Sequence, residues 1–340
     1  MNKNIIIHVK DNGNLNNFVE FLKNGYNEEI KYSKEIKFMI EEFLTNDWNV
    51  YLFSLDNFKN NVWTNVYDIN NDKKINFSIE ELNENIDVII VRVIGSVEGN
   101  FNNIKNYLSY LSENYSGLVL NNAKAMLRGM TKNYLTEIDA NYLSSIGIKT
   151  IPTKKFNNKV TFDELTQGID NLSDYLIKPS SGELSNSLSN LGQINEEFLR
   201  HKESKVAGWV RQPIIKDIWN GEYQISFLNK NLIYAQRKQY RNTSNNNIPN
   251  QKERILEKYY PTEKEISTMR KLIDYMEELY NIKLDICRID FMKDIENTPI
   301  LLEFEMVNPG FFIGYMNEYD NDIRNITNSI RIYCDKYINI

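Results

Sequence analysis

Histidine and cysteine are almost missing from this chain, with two of each among 340 residues. His8 and His201 leave little room for a histidine-built zinc centre or a Ser-His-Asp hydrolase. Cys287 and Cys334 have no metal-ligand spacing and imply no disulfide framework. Long apolar runs are lacking as well, since nothing approaches the roughly 20 apolar residues of a membrane helix. The opening "MNKNIIIHVKDNG" has too short an apolar part for a signal peptide. A soluble, cytoplasmic protein without a membrane partner is expected. Positive charge is not in excess either: at a net −6, bulk attraction to nucleic acid is not expected.

What is there is an ordinary globular mixture, 41% hydrophobic and 25% charged, long enough for two or three domains. Asn, Lys and Ile are used so heavily that Asn-rich stretches say little about function. "NIIIHVK", "NVYLFSL" (49–55), "IDVIIVRVIG" (86–95) and "GLVLNN" read as strands, the third apolar enough to be buried on both faces. Helical periodicity separates them at 32–48 and in "FNNIKNYLSYLSENY". This alternation predicts an open α/β domain over 1–122. Thr131 is expected to cap a helix through "LTEIDANYLSSIG", ended by Gly147. "IKTIPT", "DYLIK" and "VAGWVRQPII" (206–215) then read as strands, and "GEYQISFLNKNLIYAQRKQYR" as a hairpin turning at "LNKN". Residues 242–252 are polar and aperiodic, a mobile loop by pattern. "EKEISTMRKLIDYMEELYN" is an amphipathic helix, and "NDIRNITNSIRIYCDKYI" ends the chain as another.

The chemistry concentrates between those last two helices. Alternate strand residues share a face, so Arg288 and Asp290 lie together on "CRIDFMK", and Glu303 and Glu305 on "LLEFEMV". Leu302, Phe304 and Met306 are expected on the opposite face of the second strand. Antiparallel pairing through the turn "KDIENTP" sets Asp290 opposite Glu303 and Arg288 opposite Glu305. Three carboxylates that close raise one another's pKa unless compensated, and Mg2+ is a natural compensator. A solvated hairpin face with Arg–Glu cross-strand pairs suits the same pattern. Upstream, Lys178 precedes Pro179 and a loop holding Ser180, Ser181, Gly182 and Ser185. Such a loop can offer backbone N–H groups to phosphate, although it is no Walker A sequence; a solvated turn is the plainer reading. Lys132 alone is unremarkable. "VRQPII" suits a hinge whose backbone meets an adenine edge, or an edge strand marked by Pro213.

The order of these pieces is more specific than any one of them. "TKNYL…GIKTIPT", "YLIKPSSG", "RQP", "GEYQISF" and "RID…LLEFE" follow a leading α/β domain, and together they resemble the ATP-grasp superfamily of carboxylate–amine and carboxylate–thiol ligases over nearly the whole chain. "LEFEMVNPGFF" and "LNNAKAMLRGMTKNYL" look most like the branch that closes the D-cycloserine ring, and more distantly like glutathione synthetases. The glutathione synthetase and D-Ala–D-Ala ligase branches end this strand in Glu-x-Asn, and Glu305 stands where that Asn would be; Asn308 is not its equivalent.

The resemblance implies an α/β (α+β) ATP-grasp fold: an N-terminal domain (1–122), a central lid (123–207) and a C-terminal mixed-sheet domain (208–340). It implies nucleotide-phosphate contacts from Lys132, Lys178 and Lys238, and adenine contacts from the backbone of Arg211, Gln212 and Pro213. It further implies a closing loop with Ser181, Gly182 and Ser185, an ATP-site place for Glu222, a phosphoryl-steadying Arg288, and two Mg2+ ions on Asp290, Glu303 and Glu305. The implied reaction is phosphorylation of a substrate carboxylate by ATP, then displacement of phosphate by an amine, on an amino acid or small peptide in specialised metabolism. A kinase on the same scaffold and a catalytically degenerate nucleotide-binding protein are the alternatives. Arg92 and Arg128 are candidates to hold a substrate carboxylate, with salt bridges as their plainer use. Ligases of this kind often form homodimers; the sequence itself does not read out oligomeric state.

Overall fold

Three sheets follow one another along the chain. The structure, a computed structural model, describes residues 3–9, 33–92, 94, 97, 99–181, 188–240, 254–307, 309–310 and 320–338. The first sheet holds β1 (Lys3–His8), β2 (Trp48–Phe53), β3 (Phe58–Lys59), β4 (Val62–Asp68), β5 (Lys73–Phe77), β6 (Val88–Ile90) and β7 (Leu118–Leu120). Their order is β3-β4-β2-β1-β6-β7, with β5 beside β4. β2, β1, β6 and β7 run parallel, as the α/β pattern predicts. β3, β4 and β5 add an antiparallel edge that the sequence reading did not anticipate.

Both faces of β1 are covered. Ile5 and Ile7 pack with Ile36, Met39 and Phe43 of helix α1 (Ser33–Leu44), while Ile6 packs with Ile104, Tyr107 and Leu111 of α2 (Phe101–Asn114). Full burial on two sides is why these strands read as unbroken apolar runs. Helix α3 (Ala123–Gly129) leads out, capped by the Asn122 side chain on the backbone N–H groups of Lys124 and Ala125. A Cβ on Gly129 would lie 2.8 Å from that of Met306, so this residue keeps α3 close to the third sheet.

The expected Thr131-capped helix is two shorter pieces. Residues Lys132–Thr136 form a 3-10 turn, and Thr131 makes no side-chain cap bond. The helix proper is Ala140–Ser145, capped by Asp139 on the N–H groups of Asn141 and Tyr142. The Lys132 N–H donates to Ser180 O at 2.6 Å, as a residue in a first turn can, and the side-chain cap falls to Asp139 instead.

β8 (Lys149–Thr150) then joins the third sheet. β9 (Lys154–Asn157), β10 (Tyr175–Pro179), β11 (Ser189–Asn190) and β12 (Gly208–Pro213) form the antiparallel second sheet, ordered β11-β10-β12-β9. Its last strand lies beyond residue 207, and β12 is an inner strand with Pro213 at its end. The third sheet is β15-β14-β13-β16-β17-β8, from β13 (Glu222–Leu228), β14 (Asn231–Tyr240), β15 (Arg254–Lys258), β16 (Ile286–Lys293) and β17 (Pro299–Glu305). The β13–β14 hairpin turns at Asn229 and Lys230, both with positive φ (46° and 64°), the geometry that matches strand twist in two-residue hairpins. One face of this sheet packs on α4 (Glu263–Tyr280) through Met269, Leu272, Ile273 and Met276. The last helix, α5 (Asp320–Ile338), packs against α1 in a cluster that joins residues of the first sheet with Leu228, Tyr234 and Ile286 of the third. Asn121 ties the first and third sheets: its amide donates to Met306 O and its carbonyl accepts from Ile286 N at 3.1 Å.

Candidate active site

The face of the third sheet turned away from α4 is polar. Arg288 pairs with Glu305 and Asp290 with Glu303, the register expected from the turn. Across the sheet, Gln224 stands opposite Asp290, Gln236 opposite Gln224, and Lys238 opposite Glu222. Strand alternation thus collects Glu222, Gln224, Gln236, Lys238, Tyr240, Arg288 and Asp290 on one buried surface.

Alternation along β17 fails at Leu302. Asp290 pairs with Glu303 and Phe291 with Leu301, which leaves Leu302 as an extra residue. The bulge reverses the phase of the strand. Leu301, not Leu302, joins Phe304 and Met306 in the core against α4. Leu302 packs with Ile151, Ile215, Ile218, Met292 and Ile300 in a separate apolar cluster. The expected face for Leu302 is therefore corrected, while Glu303 and Glu305 stay together.

The charges are paired closely. Arg288 forks onto Asp290, with Nε 2.6 Å from Oδ1 and Nη2 2.9 Å from Oδ2. Its Nη1 donates to Gly310 O at 2.6 Å. Lys238 Nζ lies 2.7 Å from Glu222 Oε1, and Tyr240 donates to Glu222 Oε2 at 2.6 Å. Burial pushes the Glu222 carboxyl up, but the Lys238 charge and these hydrogen bonds outweigh it and leave it below the usual range. For Asp290, burial wins over Arg288 and the carboxyl lies above its usual range.

Two lysines reach this face from elsewhere. Lys132, at the start of the 3-10 turn, bonds Glu303 Oε1 at 2.6 Å. Burial would raise the Glu303 carboxyl, yet Lys132 and Lys178 hold it down to about 2. The side chain of Lys178, on β10 of the second sheet, forms no hydrogen bond or ion pair among the described residues. Burial first, and Lys132 after it, lower its ammonium to about 8 against the pull of Glu303 and Glu222. An unpaired, desolvated cation beside a second one is suited to an incoming polyanion.

The remaining candidates are placed as follows. Ser181 is buried, its hydroxyl accepting from Ala207 N at 3.0 Å. Gly182 and Ser185 lie outside the described residues, as do the stretch 242–252 and Asn308. Arg211 donates to Leu165 O and lies over the rings of Phe156 and Tyr175, each 5.5 Å away. Gln212 is buried and donates to Thr153 Oγ1 at 2.7 Å. Glu305 accepts from Val307 N at 2.9 Å. Among the described residues neither substrate candidate bonds to this face: Arg92 is buried against Glu35 at 2.7 Å, and Arg128 lies 4.3 Å over the Tyr280 ring and 3.7 Å from Glu137. Gln224, Gln236 and Tyr240 went unremarked in the sequence reading. Their two-residue spacing from Glu222 and Lys238 was the signal that marks them.

The donor set suits Mg2+ in chemistry: Asp290, Glu303 and Glu305 are hard oxygen donors at facing positions. Here protein cations hold Asp290 and Glu303, and among the described residues no three acidic, histidine or cysteine side chains gather on one cation position.

This arrangement of three sheets is that of ATP-grasp proteins, and the chain has the ATP-grasp fold. D-cycloserine synthetase is similar with a TM-score of 0.66 at 12% identity, over 97% of this chain and 99% of that one. An ATP-grasp ligase associated with ribosomally synthesised, modified peptides from Chryseobacterium gregarium, solved with ADP and a leader and core peptide, gives a TM-score of 0.60 at 16% identity, over 99% of this chain and 97% of that one. D-alanine–D-alanine ligase from Bacillus anthracis, solved with ATP, gives 0.57 at 14% identity, over 99% of each chain. No family model and no curated protein sequence matches the chain.

Proposed function

We propose that this protein is an ATP- and Mg2+-dependent carboxylate–amine ligase working through an acyl phosphate on an amino acid or small peptide. The observation that carries the reading is the polar face where Lys132, Lys178, Lys238 and Arg288 stand among Glu222, Asp290, Glu303 and Glu305, on an ATP-grasp fold. On this reading the first sheet belongs to the lead-in domain, the second to a lid and the third to the catalytic floor.

Lys178 and Lys132 would bind the polyphosphate, Lys178 gaining the partner it lacks and Lys132 exchanging Glu303 for phosphate. Ile151, Met292, Ile300 and Leu302 would wall the base, beside the backbone of 211–213. Lys238 and Arg288 would meet charge on the transferring phosphoryl group, the task that dominates phosphoryl-transfer catalysis. Asp290, Glu303 and Glu305 would hold Mg2+, which would supply positive charge to offset that of the phosphates.

No covalent protein nucleophile is required. That suits a chain whose Cys287 and Cys334 are buried with thiols pushed up, and whose His8 is buried and held neutral, lowered to about 3. D-cycloserine synthetase, the peptide-bound ligase and D-alanine–D-alanine ligase lend the reading support. Place in specialised metabolism and a cytoplasmic site remain part of the proposal; among the described residues no helix is long and apolar enough to cross a membrane.

The test is a screen of amino-acid and peptide pairs with ADP and phosphate measured together. A ligase releases both in equal amounts only when carboxylate and amine are present. ADP release with phosphate retained in the product would replace the reading with a kinase.

A further inference from the structure

Two ion pairs on the polar face are joined by a neutral group that neither pair needs for its own charge balance. The Gln224 side chain is 1% exposed, and so is that of Gln236. Gln224 Nε2 donates to Asp290 Oδ2 at 2.6 Å and to Glu222 Oε1 at 3.0 Å. Its Oε1 accepts from Gln236 Nε2 at 2.6 Å. A primary amide has two N–H groups and one carbonyl, so both hydrogens of Gln224 go to carboxylates and its oxygen to Gln236. The reversed amide would set its oxygen against two carboxylates and its NH2 against another NH2. One orientation is therefore enforced.

We infer that Gln224 is a positioning residue for this site, oriented by Gln236, an inference that rests on the ligase reading above. Asp290 shows what is positioned. Arg288 fills one acceptor position on Oδ1 and one on Oδ2, and Gln224 fills a second on Oδ2. A carboxylate has about four such positions, so the one left open lies on Oδ1. Gln224 thereby fixes which oxygen of Asp290 remains for a ligand. Through Glu222 the same amide fixes the partner of Lys238. Only a neutral double donor of this shape serves: glutamate would add a third anion between two, and lysine would neutralise the carboxylates the site displays. Gln224 itself touches no reacting atom. It sets the spacing of the Arg288–Asp290 and Lys238–Glu222 pairs.

The experiment compares wild type with Gln224→Met, Gln224→Glu, Gln236→Met and the double methionine variant, using the whole chain. In wild type carrying 15N-labelled glutamine, the two Gln224 side-chain amide protons are expected downfield and slowly exchanging, beside donors of the buried Gln212 and Gln236, and are the pair lost in Gln224→Met. Supporting positions around a site typically matter by about 10–100-fold, and Gln224→Met is expected to lower kcat by that factor and to weaken Mg2+-nucleotide binding by about tenfold. Gln224→Glu is expected to lose more, Gln236→Met less, and the double variant no more than Gln224→Met. Fast-exchanging Gln224 amide protons, or kcat within about twofold of wild type in folded Gln224→Met, overturn the inference. A loss that follows the melting temperature alone, with kcat per folded molecule unchanged, overturns it too. If wild type turns over no ATP with any pair, the ligase reading falls, and calorimetry with Mg2+-ADP decides the inference. Gln224→Met is then expected to weaken Mg2+-ADP by at least about tenfold; unchanged affinity overturns it.

Discussion

Strand β1 sends Ile5 and Ile7 into one apolar cluster and Ile6 into another, so neither face carries chemistry along its middle. Strand β16 sends Cys287, Ile289 and Phe291 into a core on one side and holds Arg288 and Asp290, equally buried, on the other. The two strands occupy comparable inner places in their sheets. Apolar burial on both sides gives stability with little specificity of contact. A face of buried charges gives little net stability, because desolvation offsets most of the attraction. Such a face is retained where something else benefits from it, which is why the third sheet and not the first is read as the catalytic floor.

The sharpest way to break that comparison is to neutralise the floor. Asp290→Asn or Glu303→Gln is expected to cut Mg2+-ATP turnover by at least about a thousandfold, with circular dichroism still showing a folded chain. Full activity in either variant would remove the metal assignment. The first sheet's own buried pair is the counter-case. Arg92→Met strands Glu35 in the interior, and urea unfolding is expected to show a loss of about 3–5 kcal/mol with kcat per folded molecule unchanged. A fall in kcat/KM for the carboxylate substrate at full stability would instead move Arg92 into the site and blur the contrast.

Lys178 offers a smaller and opposite test. Its ammonium is lowered to about 8 from an ordinary 10.5 by burial. Between those values the unfolded chain holds a proton that the folded chain sheds, so this group's contribution to stability rises with pH across the window and is least favourable below it. Lys178→Met is expected to raise the melting temperature at pH 7 and flatten the rise in stability from pH 8 to 10.5. The same variant is expected to weaken Mg2+-ATP, measured by calorimetry, by about tenfold or more. Unchanged affinity would show that the lone cation is not a phosphate ligand. The smallest effects lie outside both sheets: Asp139→Ala is expected to cost about 1 kcal/mol, whereas Thr131→Ala is expected to stay within about 0.5 kcal/mol, both by thermal unfolding.

Much of the floor was legible because period-two alternation and the hairpin connection are local properties. Arg288 and Asp290 could be set opposite Glu305 and Glu303 from the turn between them alone. The β13–β14 turn was legible for the same reason. Other features depend on partners distant in sequence. β15 is found through its pairing with β14, and the β4–β5 hairpin is Asn-rich, with a register shift between Trp63 and Val66 that spoils its alternation. Thr131 reads as a cap by pattern, but Asp139 carries the same signal eight positions later, and it is Asp139 that caps. The amide run Gln236–Gln224 is present in the spacing but carries no charge, so nothing in the sequence sets it apart from ordinary polar strand residues.

The extra residue in β17 has a consequence for how this gene can change. The ladder is in phase on either side of Leu302, with Asp290 facing Glu303 and Phe291 facing Leu301. Losing the Leu302 codon would close the ladder into plain alternation, leaving Leu301 and Phe304 in the core and Glu303 over the floor. Losing one codon between Glu303 and Glu305 would turn part of the strand over and send a carboxylate toward α4. The strand thus has one position where its reading frame is forgiving, and it lies at the border between the apolar wall and the charged floor.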